Sequence, residues 1–335
     1  MRVTRLAPSP TGALHLGNAR TFLVNWIVAR QSGWRVILRM EDLDGPRVKP
    51  EAARQAIEDL QWLGFDWDEG PIYQSPRMHV YTTAIDTLLA RGHAYPCVCS
   101  RREVESAASA PHAEDGAAVY PGTCRRRFRS VAEARDAAGR EPALRFAVPE
   151  GLEGVVQFRD AFSGDHRIDV ARTLGDFVIA KGIPPEARGH GSPWAPAYQL
   201  AVVVDDAEMG VTDVIRGDDL IDSTPRQMLV YRALGLADRT PRYYHLPLVV
   251  GTDGRRLAKR HGDTRLSHYR DRGASPGRVL SLLGRWCGVQ LPPDGDAAEV
   301  RKSLLESFRL ETMPREPITM TPDDDAWLRA RHLEH

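Results

Sequence analysis

Four cysteines in 335 residues are too few for a disulfide-stapled scaffold in a chain of this size. No apolar run approaches the roughly 20 residues of a membrane-spanning helix, and the N-terminus lacks a charged-then-apolar leader. The chain is therefore expected to be cytoplasmic, away from membranes, and no obligate protein partner is evident. Net charge is missing as well: 45 Lys+Arg balance 45 Asp+Glu. Bulk charge thus announces no nucleic-acid partner, and any basic footprint must be local. Lysine is scarce, with Lys49, Lys181, Lys259 and Lys302 the four among those 45 basic residues. A basic position here is ordinarily arginine, so the lysine at 259, inside a basic run, is pointed. The sequence also offers no Ser/His/Asp or Cys/His arrangement for covalent catalysis.

What is present is ordinary in bulk, with 42% hydrophobic and 27% charged residues, and long enough for two or three domains. Residues 1–93 alternate strand and helix: strands at 3–7 and 34–40, helices over about 50–63 and 76–91. Strands separated by helices imply a parallel sheet with crossover connections. Residues 94–190 change to turns, an Ala-rich stretch and short strands at 144–148 and 155–158, which reads as an inserted subdomain. Residues 191–245 resume helix, strand (211–216) and helix (224–234). A sheet interrupted and then resumed suits a split nucleotide-binding fold. From 246 to 332 the pattern is mostly helical, with one clear amphipathic stretch at 279–286. Residues 333–335 resemble a tag remnant and are set aside.

The most informative stretch runs from Ala7 to Arg20, Ala-Pro-Ser-Pro-Thr-Gly-Ala-Leu-His-Leu-Gly-Asn-Ala-Arg. Pro8, Pro10 and Gly12 forbid a regular element between the first strand and an amphipathic helix expected to begin near Gly17, with Phe22, Leu23, Trp26 and Ile27 on its apolar face. A strand, a kinked turn and then a helix expose backbone N–H groups and the positive helix end to an anion. His15 can donate to phosphate oxygens, and Gly17 keeps the backbone bare where a purine could lie.

This run resembles the HIGH signature of class I aminoacyl-tRNA synthetases in its glutamyl form. Further along, Leu38 to Asp44, Tyr198-Gln199-Leu200-Ala201 to Asp205-Asp206, Val214 to Leu220 and Ser223 to Gln227 are similar to the same family, so the likeness spans residues 1 to about 270. The resemblance implies an α/β fold: a Rossmann catalytic domain with an inserted zinc-binding subdomain and a short helical C-terminal region. It further implies aminoacyl-adenylate formation from ATP with Mg²⁺ by positioning and charge stabilisation. His15, Gly17 and Asn18 would hold one side of the triphosphate. The other side falls to 256–260, which matches the KMSKS loop. There Arg256 replaces the first lysine, Leu257 follows, Ala258 and Arg260 replace the two serines, and Lys259 fills the second lysine position. His15 and Lys259 are the expected catalytic pair.

In the family, the segment matching Arg5, Leu6, Ala7, Pro8 and Ser9 contacts glutamate, with Glu41, Tyr198 and Arg216 around it. A guanidinium pairs well with a side-chain carboxylate, and Glu41 can meet the substrate ammonium. The competing reading of Arg5 and Arg216 is structural ion pairing with Asp42, Asp44, Asp218 or Asp219. Cys97-x-Cys99, then Tyr120 and Cys124, resembles a structural zinc site. Tyr120 is the family-like fourth ligand, His112 and His93 are rivals on chemistry, and three unliganded buried thiols are the alternative.

Two departures from glutamyl-tRNA synthetases stand out. Some seventy-odd residues follow the KMSKS-like loop, so the anticodon-binding domains are expected to be missing. Gly182 to Pro196 forms a long loop before Tyr198 where a short turn is expected. The truncated pattern is similar to glutamyl-Q tRNA(Asp) synthetases, which attach L-glutamate to queuosine in the anticodon of tRNA(Asp). The rivals are a truncated glutamyl-tRNA synthetase charging the 3′ end of tRNA(Glu), and a catalytically silent tRNA-binding paralogue.

Overall fold

The computed structural model describes residues 1–43, 48–100, 102–104, 119–188, 191–255, 257, 263–293 and 295–330. Its N-terminal part is a three-stranded parallel sheet of β1 (Val3–Leu6), β2 (Arg35–Met40) and β3 (Glu69–Tyr73), in that order. Helices Leu16–Ser32 and Pro50–Trp62 make the crossovers. Gly33 ends the first helix at φ 65°, a left-handed cap that glycine adopts without strain. The third helix, Met78–Ala90, follows a single 3₁₀ turn at Ser75–Arg77.

An antiparallel sheet then interrupts the parallel one. Its strands are β4 (Ala94–Cys97), β5 (Ala143–Phe146), β8 (Phe177–Gly182) and β9 (Trp194–Pro196), in the spatial order β4-β5-β8-β9. Between them, β6 (Val155–Asp160) and β7 (Gly164–Asp169) form a hairpin. The long loop expected from Gly182 to Pro196 is pinned at its two ends by strand pairing. β9 pairs with β8 through Lys181↔Ala195 and Gly182↔Trp194, and Ile183 N donates to Pro193 O at 2.8 Å. The antiparallel sheet therefore runs past residue 190, and β9 delivers Tyr198 to the start of helix Tyr198–Glu208.

Parallel structure resumes with β10 (Asp213–Gly217) and β11 (Arg242–Leu246), bridged by helix Ser223–Leu234. Thr212 stitches this pair to β1: its N–H donates to Val3 O at 2.9 Å, and its Oγ1 accepts from Val3 N at 2.8 Å. The remaining chain is mostly helical, with Leu266–Asp271, Pro276–Trp286, Ala297–Ser307 and Pro322–Arg329. Two short strands, β12 (Val249–Val250) and β13 (Ile318–Thr319), pair in parallel among them.

Two apolar cores explain the arrangement. In one, Leu23 and Ile27 of the first helix meet Leu38 of β2 and Leu280 and Leu283 of helix Pro276–Trp286, all fully buried. Helix Leu16–Ser32 is thus covered by sheet on one side and helices on the other. It is buried around most of its circumference rather than along the single stripe expected, and Arg20 and Asn25 are buried with it. Phe22 is half-buried and faces a cavity. In the other core, Leu144 and Ile179 of the antiparallel sheet pack with Leu200, Val203 and Val230 of the two following helices. The insertion is therefore fused to the returning parallel half by shared packing.

The buried Asn25 ties the first helix to β1. Its Nδ2 donates to Arg5 O at 2.9 Å, and its Oδ1 accepts from Thr4 Oγ1 at 2.9 Å. Asn25→Ala should lower unfolding stability by about 2 kcal/mol, because a buried hydroxyl and carbonyl lose partners. A urea melt checks this: the midpoint should fall with the slope unchanged.

Candidate active site

Where the parallel strands end, the structure opens a cavity of about 1040 Å³. Ligand crevices of open α/β sheets lie at this carboxyl edge. Arg5, Ala7 and Ser9 line it, whereas Leu6 and Pro8 are buried behind it. That alternation follows from extended backbone, in which successive side chains point to opposite faces. Of the five positions expected from Arg5 to Ser9, the odd-numbered three face the cavity. His15, Gly17, Asn18, Glu41, Tyr198, Arg216 and Leu257 line it too. Arg256, Ala258, Lys259 and Arg260 lie outside the described residues.

The cavity floor is a set of buried charges. Arg39 Nη1 donates to Asp206 Oδ1 at 2.6 Å and Arg39 Nη2 to Glu41 Oε1 at 3.0 Å. Arg5 Nε stands 3.5 Å from the same Asp206 oxygen. Arg5 does form an ion pair, but with Asp206 rather than with the carboxylates the sequence nominated. Asp42 is otherwise engaged, accepting from Ser75 N at 2.8 Å and Ser75 Oγ at 2.6 Å. Asp44 lies outside the described residues. The neighbouring Asp205 holds Gln74 Nε2 at 2.7 Å, Tyr81 Oη at 2.8 Å and Arg77 Nε at 3.0 Å. The Asp205-Asp206 pair thus anchors the floor from helix Tyr198–Glu208.

Arg216 differs. It is 4% exposed, yet no carboxylate among the described residues pairs with it. Its Nε donates to His245 Nε2 at 3.0 Å, its Nη1 to Tyr198 Oη at 3.3 Å and its Nη2 to Thr224 Oγ1 at 2.7 Å. The Tyr243 ring lies 5.2 Å from its Cζ. Parallel pairing of β10 with β11 sets Arg216 beside His245. Behind His245, Nδ1 meets Asp160 Oδ2 at 2.7 Å, with both side chains fully buried. Burial alone would raise the Asp160 pKa, but hydrogen bonds from His245 and the Ser163 N–H outweigh it and bring it down to about 2. Burial depresses the His245 pKa below the ordinary imidazole value despite that carboxylate, and the Arg216 charge adds to the depression. After β10, burial and the adjacent Asp219 raise the Asp218 pKa.

At the other end, His15 is the N-cap residue of helix Leu16–Ser32, which begins one residue earlier than expected and carries no acidic residue in its first turn. Residues 14–16 pair with 264–266. Leu16 N donates to Thr264 O at 3.0 Å, Leu266 N donates to Leu14 O at 2.9 Å, and His15 Nδ1 lies 3.0 Å from Thr264 Oγ1. The chain just after the expected basic loop is thereby tied to the histidine. Gly17 packs at an ordinary distance, since an added Cβ would sit 3.6 Å from Val249 Cβ.

A separate group lies in the insertion. The sulfurs of Cys97, Cys99 and Cys124 fall within 4.8 Å of one another. Tyr120 Oη is 3.4 Å from Cys97 Sγ and 3.5 Å from Cys99 Sγ, and it accepts from Cys124 N at 2.8 Å. Ligands about 2.3 Å from a tetrahedral ion sit roughly 3.8 Å apart, so these donors have the spacing and chemistry to hold one zinc ion. Arg145 stacks 3.7 Å over the Tyr120 ring and donates to Cys97 Sγ at 3.3 Å. His93 stands apart, stacked on Phe146, and His112 lies outside the described residues.

Sequence reasoning missed Asp160, Thr224 and His245. The available signal was a histidine inside the apolar strand Arg242–Leu246, where a polar side chain must find a partner. It also missed Gln74 and Lys181, which line the cavity; the scarcity of lysine could have flagged the latter.

With this geometry in view, the family described as tRNA synthetases class I (E and Q), catalytic domain, matches residues 2–311. A glutamyl-Q tRNA(Asp) synthetase of Symbiobacterium thermophilum is 46% identical over 334 residues, covering 97% of each chain. One of Rhodopirellula baltica is 45% identical, covering 94% of this chain and 95% of that one. Among solved structures, glutamate-tRNA synthetase from Elizabethkingia anophelis superposes with a TM-score of 0.77 at 25% identity, covering 98% of this chain and 69% of that one. The α/β framework with its interrupted parallel sheet and these matches agree: the chain belongs to the class I tRNA synthetases of the glutamyl and glutaminyl type, within the glutamyl-Q tRNA(Asp) synthetases.

Proposed function

We propose that this chain activates L-glutamate with ATP as glutamyl-adenylate, with no tRNA needed for that step, and transfers the glutamyl group to queuosine in the anticodon loop of tRNA(Asp). The observation that carries the reading is Arg216, a buried guanidinium facing the cavity with neutral partners. A buried charge without a counter-charge is costly, and a substrate carboxylate would compensate it. Glutamine would not, which gives the site its discrimination.

Glutamate would lie with its side-chain carboxylate on Arg216 and Tyr198, and its ammonium toward Glu41. Arg5 and Ser9 would bound the pocket from β1 and the turn after it. The α-carboxylate oxygen then attacks the α-phosphorus of ATP, and the bond to the bridging oxygen breaks, releasing pyrophosphate. His15 would steady the phosphates at the start of the first helix, beside Gly17 and Asn18. Lys259, with Arg256, Leu257, Ala258 and Arg260 around it, would follow the leaving pyrophosphate. Mg²⁺ enters with ATP as part of that substrate. A queuosine hydroxyl next attacks the mixed anhydride and displaces AMP. Similarity across almost the full length of glutamyl-Q relatives supports queuosine, rather than the 3′ end of tRNA(Glu), as acceptor. Near the insertion, Cys97, Cys99, Cys124 and Tyr120 would hold zinc, which supplies a structural staple.

Arg216→Ala should raise the glutamate KM in pyrophosphate exchange by roughly 30-fold or more, the scale for removing one partner of a desolvated charge pair. His15→Ala and Lys259→Ala should instead lower kcat, because their contacts tighten as charge develops on the phosphates. Unchanged glutamate KM together with a lowered Tm in Arg216→Ala would identify a purely structural arginine.

Metal analysis should find about one zinc per chain, with occupancy falling in Cys97→Ser and Cys124→Ser and less steeply in Tyr120→Phe. A metal-free, fully folded preparation would leave three unliganded thiols as the correct description.

For the acceptor, radiolabelled glutamate should pass to tRNA(Asp) containing queuosine and not to the same tRNA lacking it. RNA loops present splayed bases that a pocket can read by stacking and edge contacts. Efficient charging of unmodified tRNA(Glu) would promote the truncated-synthetase reading instead.

A further inference from the structure

Arg216 can receive a carboxylate only if its guanidinium is held at one angle, and the groups that hold it come from three different elements. Asp160 ends β6, His245 lies in β11 and Thr224 stands in the first turn of helix Ser223–Leu234. Asp160 Oδ1 accepts from Phe162 N at 2.9 Å, Ser163 N at 2.7 Å and His245 N at 3.1 Å. Its Oδ2 is therefore left to His245, with the ring nitrogen Nδ1 at 2.7 Å and the backbone N at 3.1 Å.

Donor chemistry assigns the protons along this chain. An ionised carboxylate can only accept, so His245 Nδ1 carries hydrogen. Arginine Nε can only donate, so His245 Nε2 presents its lone pair. Thr224 Oγ1 accepts from Arg216 Nη2, and its own hydrogen is then available to the same His245 Nε2, 3.2 Å away. With Nη1 given to Tyr198, the guanidinium retains one N–H on each terminal nitrogen, a pair suited to a bidentate carboxylate.

We propose that Asp160 and His245 are positioning residues for amino-acid selection: Asp160 fixes His245 as the neutral Nδ1–H tautomer, and that tautomer orients Arg216 toward the glutamate side chain. The assignment rests on the glutamate-activating reading above. Neither residue lines the cavity, so both act through Arg216. A histidine of the other tautomer, or a protonated one, would turn an N–H toward the Arg216 Nε–H and push the guanidinium out of register.

Asp160→Asn is the direct test, since it is nearly isosteric. The amide oxygen can keep the Phe162 and Ser163 N–H groups, while its NH₂ faces His245 Nδ1 and drives the proton to Nε2. In pyrophosphate exchange the glutamate KM should rise roughly 10- to 100-fold, the range by which removing a carboxylate behind a metal-ligating histidine weakens that histidine's site. The KM for ATP and kcat at saturating glutamate should stay within about twofold of the unsubstituted enzyme. Nitrogen NMR of ¹⁵N-histidine-labelled protein should show Nδ1–H at His245 before substitution and Nε2–H after it. His245→Gln, which retains an acceptor for Arg216 Nε, should keep a lower glutamate KM than His245→Leu. Glutamate KM unchanged in Asp160→Asn, or equal losses for ATP and glutamate with a fallen Tm, would overturn the relay. An unsubstituted enzyme with no glutamate-dependent exchange would overturn the functional reading itself, and the tautomer measured at His245 would still decide the hydrogen-bond order on which the relay is built.

Discussion

The cavity floor gathers three buried guanidinium groups, Arg5, Arg39 and Arg216, around two carboxylates, Asp206 and Glu41. Charges so far from water must be balanced within a few ångströms or cost several kcal/mol each. Arg39 takes the best geometry to both carboxylates; burial works against its charge, but Asp206, Glu41 and Asp205 together more than offset this and raise its pKa. Arg5 shares what remains of Asp206, and Arg216 receives none. Strands β1, β2 and β10 and helix Tyr198–Glu208 each contribute a member to this set. The fold is thus arranged so that the deficit of negative charge falls at one side chain that faces the cavity.

How the deficit is held explains several connections that otherwise look incidental. The β6–β7 hairpin belongs to the insertion, yet Asp160 at its end reaches the parallel half by hydrogen-bonding His245. Ala161 N donates to Tyr243 O at 2.8 Å beside it. The insertion therefore supports the cavity floor as well as carrying the cysteine group. At the opposite end, the pairing of 14–16 with 264–266 ties the first signature segment to the chain that follows the basic run. Preformed contacts of this kind lower the ordering cost that a substrate must otherwise meet.

Much of this was legible in the residues. The alternation of strand and helix over 1–93 marked a parallel sheet, and the Ala7–Arg20 run marked its cavity edge, because proline, glycine and helix-start signals act locally. Arg5, Glu41, Tyr198 and Arg216 converge although they stand far apart in the chain, and motif resemblance brought them together in advance. Three features stayed hidden for a common reason. Whether Leu6 or Arg5 faces the cavity depends on strand orientation, whether Gly182–Pro196 wanders or pairs depends on the partner strand, and whether Arg216 meets Asp219 or His245 depends on register. Each is a tertiary choice among locally equivalent options. The central helix shows the same limit: Phe22, Leu23, Trp26 and Ile27 suggested one apolar stripe, but packing on both sides buried polar Arg20 and Asn25 as well.

The neutrality of the groups around Arg216 is the feature that ties the architecture to selection. Had aspartates oriented this guanidinium, they would have fixed its angle and cancelled its charge together, and an incoming carboxylate would have to displace a resident one. A neutral imidazole, a hydroxyl and a phenol supply direction through hydrogen bonds while leaving the charge uncompensated. The one full negative charge in the relay, on Asp160, is set a ring's width further back, where it biases the histidine without pairing with the arginine. A site built this way must exclude protons from His245, and burial does so by depressing its pKa. Orientation and charge are thereby supplied by separate atoms, which is what allows a rigid pocket to remain hungry for an anion.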